Sequence, residues 1–229
     1  MRDLSARLSV VAEFVKSGSS VCDVGTDHGY LPAFLYLSGK CKRVTATDIK
    51  EKPLENAKKN LKKLGADGVS LILCDGLASV DRSIADTVII AGMGGEVISG
   101  IIDRAPFLRD NTVSLILQPM TAAKELRKYL ALNGFCVEQE KAVKENGKIY
   151  SVMLARYCKN PYNLSDTELL IGKLNADSDT AREYIEKQYR IIYKCVCELE
   201  KVPQKRAQYE HYIKIASKLK NILEDKNGI

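Results

Sequence analysis

The sequence has 229 residues, 45% of them hydrophobic and 28% charged, and a formal net charge of +6. That length accommodates one large domain plus a small one, and no apolar run approaches the roughly 20 residues that span a bilayer. The mild positive charge is compatible with a nucleic-acid partner without demanding one.

Leu4, Leu8, Val11, Ala12 and Val15 recur at helical spacing, which predicts an N-terminal amphipathic helix ended by Gly18-Ser19-Ser20. Val21-Cys22-Asp23-Val24 reads as a strand running into a glycine turn. Leu31 to Leu37 reads as a helix that tolerates Pro32 in its first turn. Arg43 to Thr47 is the next strand, ending at Asp48, and Pro53 opens a helix that Gly65 stops after Leu64. Three more strands are expected at Val69–Leu73, Thr87–Ala91 and Ser114–Gln118. Thr121 to Leu132 is helical, closed by Asn133-Gly134. Phe135 to Ala142 and Lys148 to Arg156 read as strands joined around Glu145-Asn146-Gly147, an Asn-Gly hairpin signal. The alternation predicts an α/β fold: a mostly parallel, Rossmann-like sheet with helices on both faces and a terminal antiparallel hairpin.

Composition changes after Tyr157. Asn160-Pro161-Tyr162-Asn163 reads as a linker, and Ser165-Asp166-Thr167-Glu168 has the form of a capping box. Tyr184, Ile185, Ile191, Ile192, Cys195 and Leu199 keep helical spacing. Beyond Pro203, so do Tyr209, Tyr212, Ile213, Ala216, Leu219 and Leu223. An antiparallel, coiled-coil-like helical hairpin is expected, giving domains at 1–157 and 158–229.

The cysteines are Cys22, Cys41, Cys74, Cys136, Cys158, Cys195 and Cys197, with no C-x-x-C pair, and the only histidines are His28 and His211. They read as small buried hydrophobes in a reducing compartment, not as disulfides or metal ligands. Met1 to Arg7 shows no apolar signal core or cleavage site, so a cytoplasmic location is expected.

The segment Asp23-Val24-Gly25-Thr26-Asp27-His28-Gly29 carries the chemistry. A strand, a glycine turn and a helix N-terminus let a ligand approach the backbone. Nicotinamide enzymes usually show G-x-G-x-x-G there, and Asp23 would repel a pyrophosphate. It suits instead the ammonium of the methionine part of S-adenosylmethionine, with Gly25, Thr26, His28 and Gly29 around it. Asp48 ends the second strand, where a carboxylate can accept both ribose hydroxyls of a nucleoside cofactor. Asp75, before Gly76, can accept from the adenine amino group. Each acid alone could be a cap or a loop charge, but three successive strand ends share one crevice. The fourth strand ends Ile90-Ala91-Gly92-Met93-Gly94-Gly95. Amino-group methyltransferases often carry an [Asp/Asn]-Pro-Pro-aromatic segment there. Here Ala91, Gly92 and Met93 form either a backbone wall of the site or a turn entering a helix.

Leu4-Ser5-x-Arg7-Leu8, the run from Asp23 to Pro32, the Gly92-Met93-Gly94-Gly95 segment and Leu117-Gln118-Pro119 resemble the bacterial tRNA (adenine-22-N1)-methyltransferases. The resemblance covers essentially the whole chain. It implies S-adenosylmethionine as cofactor, tRNA as substrate and the helical C-terminal region as part of the enzyme. N1 of adenine has an in-plane lone pair and no proton to lose, so no general base is required. An acceptor for the N6 amino group would help as charge develops, with Asp27 the first candidate and Gln118 the second. Asp27 could equally cap the following helix. Phosphate contacts are expected from Arg182, Lys187 and Arg190 in the helical region and from Arg7, Arg104 and Arg109 before it. The helical region also carries many acids, so a solvated surface is the plainer alternative. A monomer without membrane or metal is expected. Other readings are a methyltransferase of a small molecule or protein, and a non-enzymatic RNA-binding protein.

Overall fold

The structure, a computed structural model, describes residues 4–225. The start of the leader reading, residues 1–3, and the end of the second expected domain, residues 226–229, lie outside the described residues. Among the described residues no helix is long and apolar enough to cross a membrane.

Among the described residues, seven strands form one sheet: β1 (Ser19–Val24), β2 (Cys41–Asp48), β3 (Ser70–Leu73), β4 (Thr87–Gly94), β5 (Ser114–Thr121), β6 (Phe135–Glu145) and β7 (Lys148–Tyr157). Their order is β3-β2-β1-β4-β5-β7-β6. The first five run parallel, and β7 lies antiparallel between β5 and β6. The helices α1 (Ala6–Phe14), α2 (Tyr30–Leu37), α3 (Glu51–Leu64), α4 (Gly95–Asp103) and α5 (Ala123–Leu132) cover the two faces. Side chains alternate between faces along each strand. Val88, Ile90, Leu115 and Leu117 face α4 and α5 in one apolar cluster. Ile89 and Ile116 face the opposite cluster with α1 and α2. The expected Rossmann-like sheet is therefore present, buried on both sides.

Two boundaries move for physical reasons. The glycine-rich end of β4 stays in the sheet instead of turning, because Met93 pairs with Pro119 and Gly94 with Thr121 across an irregular register. α3 begins at Glu51, which places Pro53 third in the helix, where its missing N–H is still not needed. The hairpin forms as expected: Asn146 and Gly147 take φ of 51° and 71°, the pair of positive values that a two-residue turn requires.

The cysteine reading needs correction. Cys136 and Cys158 form a disulfide across the base of the β6–β7 hairpin. Of the other five, Cys22 is buried and Cys41, Cys74, Cys195 and Cys197 are half-buried. Strand register brings the two partners together: Cys136 pairs opposite Arg156, and Cys158 follows two residues later.

Beyond the sheet lie α6 (Asp166–Ile171), α7 (Asp179–Glu200) and α8 (Arg206–Glu224), with a 3-10 turn at Pro203–Lys205 between the last two. The capping box is complete: Ser165 Oγ accepts from Glu168 N, and Glu168 Oε2 accepts from Ser165 N. Tyr184, Ile185, Ile192, Ile215 and Leu219 build a third, smaller apolar cluster.

A charged pin fastens this cluster to the sheet. Arg127 of α5 and Glu140 of β6 form an ion pair with side chains 1% and 0% exposed. Arg127 also donates to Leu169 O at 2.9 Å, Leu170 O at 3.1 Å, Ser151 Oγ at 3.3 Å and the Tyr184 hydroxyl at 3.2 Å. Burial works against its charge, and the Glu140 carboxylate outweighs that, so the guanidinium pKa is raised. Lys173 N donates to Glu140 Oε2 at 3.1 Å, and a side chain on Gly172 would collide with that carboxylate.

Candidate functional site

The carboxyl ends of β3, β2, β1 and β4 are neighbours, so the three acids of the sequence reading stand on adjacent strands. At the end of β1, Gly25 N and Thr26 N both donate to Thr47 O, at 2.8 and 3.0 Å, which swings the chain off the sheet. Gly25 has φ of 80°, and a Cβ there would overlap the Met93 methyl. Gly29, at φ 68°, is the N-cap of α2 and lies against Ala57, which a Cβ would meet at 3.2 Å.

Asp23 is 7% exposed. Burial pushes its carboxyl up to about 6, opposed by a hydrogen bond with Thr26. No cation among the described residues pairs with it. A buried acid without a counter-charge is stabilised as the anion once a cation enters. Asp48 closes β2, half-buried, and its Oδ1 accepts from Lys50 N at 2.8 Å. Asp75 is exposed and lies 3.4 Å from Arg104 Nη2. Behind it, Thr47 Oγ1 donates to Gly76 O at 3.0 Å. Ile49, Leu73 and Met120, each more than a third exposed, sit at or just past the ends of β2, β3 and β5. The sequence reading missed this apolar rim, which suits the faces of a flat heterocycle.

Gln118 and Arg7 brace the wall opposite. Gln118 is wholly buried, and its Oε1 accepts from Gly92 N at 3.1 Å and from Arg7 Nη1 at 2.7 Å. Its Nε2 donates to Pro119 O at 2.9 Å. Gln118 was expected to accept from a substrate base, but its acceptor oxygen already serves two donors, so it is a brace. Arg7 was expected on a phosphate. Instead its head points inward to Gln118, its N donates to Glu145 Oε2 at 2.9 Å, and its Nε stands 3.5 Å from Glu145 Oε1. The partner Glu145, in the hairpin, gave no sign of this in sequence.

Asp27 does not cap α2, whose N-cap is Gly29 without a side-chain cap bond. Its carboxylate is 70% exposed and 3.2 Å from His28 Nε2. The His28 carbonyl accepts from Asn60 Nδ2 of α3 at 3.0 Å. Ala91 lies half-buried in β4 beside this wall, opposite Gln118.

The remaining cations are placed variously. Arg109 lies over the Phe135 and Tyr157 rings, 5.9 and 5.8 Å from their centroids, and donates to Asn133 O at 3.3 Å. Arg182, expected on a phosphate, instead ties α7 to the end of α8 by donating to Leu223 O at 2.6 Å. Arg190 is exposed and paired with Glu186 at 3.1 Å, and Lys187 is exposed.

The chain is similar to several known proteins. The tRNA (adenine(22)-N(1))-methyltransferase of Bacillus subtilis is 35% identical over 153 residues, 66% of this chain. The match spans just under two thirds, 64%, of that relative. A Streptococcus pneumoniae protein, described as a candidate tRNA (m1A22) methyltransferase and solved with S-adenosyl-L-methionine, is 28% identical with a TM-score of 0.79. The likeness covers 97% of this chain and 100% of that one. M. capricolum TrmK, solved with S-adenosyl-homocysteine, is 25% identical with a TM-score of 0.75, covering 96% and 98% of the two chains. The Methyltransferase domain family matches residues 4–153, the whole span from α1 into β7. With well over half of its length in that match, the chain belongs to the Methyltransferase domain family.

Proposed function

We propose that this protein transfers the methyl group of S-adenosyl-L-methionine to N1 of adenine 22 in the D-arm of tRNA. In this reading residues 1–157 carry the chemistry and residues 158–229 help hold the tRNA. One observation carries the substrate assignment. The likeness to the Streptococcus pneumoniae protein runs through 97% of the chain, so it extends past the methyltransferase domain into the C-terminal helices.

The residues present fit the cofactor. Asp23 is a buried carboxylate without a cation, suited to an ammonium. Gly25, without a side chain of its own, lets the Met93 methyl close against the turn. Asp48 suits the ribose hydroxyls, and Asp75 the adenine amino group in competition with Arg104. Thr26, His28, Gly29, Gly76, Ala91, Gly92 and Met93 complete the surround. S-adenosyl-L-methionine, when bound, supplies an electrophilic methyl on a positively charged sulfur.

The chain then has little proton chemistry to perform. Adenine N1 attacks through its lone pair and the ring becomes cationic, with no proton to remove. Holding the two reactants in line supplies much of the rate, since such alignment is worth roughly 7–11 kcal/mol. The Arg7–Gln118 brace fixes Gly92 in the wall against which the base would sit. Asp27, exposed at the same edge, suits the N6 amino group as positive charge develops. N1 is blocked by Watson–Crick pairing, so a paired target must leave its helix, at a cost of a few kcal/mol.

The test is methyl transfer from labelled S-adenosyl-L-methionine to two unmodified tRNA transcripts, one with adenine and one with guanine at position 22. Label in the adenine transcript alone, mapping to N1-methyladenine, is expected. Label in neither, with the cofactor still bound, would sink the substrate assignment.

A further inference from the structure

The arginines chosen from the sequence each have a partner in the fold. Arg7 holds Gln118, Arg104 faces Asp75, Arg182 holds the end of α8 and Arg190 pairs with Glu186. α3 is different. It buries Leu54, Ala57 and Leu61, and its other side presents Lys52, Lys58, Lys59, Lys62 and Lys63, all exposed. Among the described residues none of these ammonium groups has an ion pair or a hydrogen bond. Two exposed acids, Glu51 and Glu55, share that side, and five lysines against two glutamates leave it net positive.

Its place in the fold matters as much as its charge. α3 follows directly from the end of β2, so it starts at the carboxyl edge, three residues after Asp48. Asn60 ties it to the His28 carbonyl of the site loop. Over its 14 residues the helix is about 21 Å long, at 1.5 Å per residue.

We infer that the lysine face of α3 is a docking surface for the sugar-phosphate backbone of the tRNA, beside the crevice that receives the target base. The inference rests on the proposed function and adds the surface on which the substrate lies. Lysine is a hydrated point charge that suits phosphates without reading sequence, as recognition of a folded RNA by shape requires. A lipid surface is a poorer match, because the exposed side of α3 carries no apolar anchor to insert.

The test uses the full chain with Lys52, Lys58, Lys59, Lys62 and Lys63 replaced by Gln, which has nearly the same helix propensity. Binding of the adenine-22 transcript is measured by fluorescence anisotropy over a range of salt, alongside methyl-transfer kinetics and cofactor affinity. KM for tRNA should rise at least about tenfold, with kcat and cofactor affinity unchanged. The plot of log affinity against log salt should flatten by about 0.7–0.9 for each phosphate that the variant no longer neutralises. Charge reversal at two outward positions only, Lys59→Glu with Lys63→Glu, should move both readouts in the same direction in a minimally altered chain. A five-lysine variant with the affinity and salt slope of the parent, while the parent methylates the transcript, would overturn the inference alone. A parent that neither binds nor methylates the transcript would overturn the substrate reading, and this surface with it.

Discussion

The sheet and the C-terminal helices are held by different means. The sheet is sandwiched between two apolar clusters to which each of α1 to α5 contributes, so its stability is spread over many small interactions. The helices α6 to α8 share one smaller cluster, and their junction with the sheet is centred on the Arg127–Glu140 pair. Distributed burial degrades gradually when one atom group is removed. A buried ion pair fails sharply when one partner goes, because the other is left charged and dry.

The sharpest break is therefore expected at the pin. Arg127→Met strands Glu140 and should destabilise the protein by about 3–5 kcal/mol in urea unfolding. Hydrogen exchange should show α6 to α8 losing protection before the sheet. Arg127→Met with Glu140→Met should recover much of that stability, because two apolar side chains leave no charge unpaired.

Asp23→Asn comes next, and it acts on binding. Removing a charge-assisted hydrogen bond worth about 1.5–3 kcal/mol should weaken S-adenosyl-L-methionine by roughly 10- to 150-fold in calorimetry, with the fold retained. The parent should also show a pH dependence. The Asp23 carboxyl titrates near 6, above its ordinary 3.8, so the free folded protein holds that proton more tightly than the unfolded chain does. This group's contribution to folding is therefore full below about pH 4 and falls as pH rises through 6. Cofactor affinity runs the other way: it should climb up to tenfold per pH unit below 6 and level off above it. Asp23→Asn should erase that inflection.

Arg7→Met takes a donor from Gln118 and the ion-pair partner from Glu145, which keeps its hydrogen bond from the backbone N of residue 7, at a cost of about 1–3 kcal/mol. It should lower kcat for methyl transfer while leaving cofactor affinity near the parent value. A drop in cofactor affinity instead would show that the brace serves the wrong ligand. Ile116→Val, in the middle of the sheet, sharpens the contrast from the other side. It should cost only about 0.5–1.5 kcal/mol, with unfolding still in one transition.

What could be read in the sequence was what depends on local chemistry. Asn146-Gly147 demands positive φ, Ser165 and Glu168 satisfy each other across one helical turn, and the strand-end acids follow from the alternation of strands and helices. What escaped depends on distant pairings. Arg127 and Glu140 lie among polar residues and look like solvated positions until β6 and α5 are brought together. Arg7 stands beside an apolar stripe and reads as surface until the β6–β7 hairpin delivers Glu145 to it. The cysteine pair is set by strand register, which spacing does not reveal. The glycines of β4 left a wall of the site and a turn both open, because the strand that extends them, through Pro119 and Thr121, is remote in sequence.

The strand order also bears on synthesis. β5 pairs with β7 and not with β6, so the emerging chain must hold β6 without a partner until residues 148–157 follow it. At about 5–20 residues per second that interval is a second or so. The tight Asn146-Gly147 turn then lets β7 fold back at once and slot between its two neighbours. A nascent chain stalled in the hairpin would expose both the free edge of β5 and an unpaired β6, two templates for misassociation at the ribosome exit.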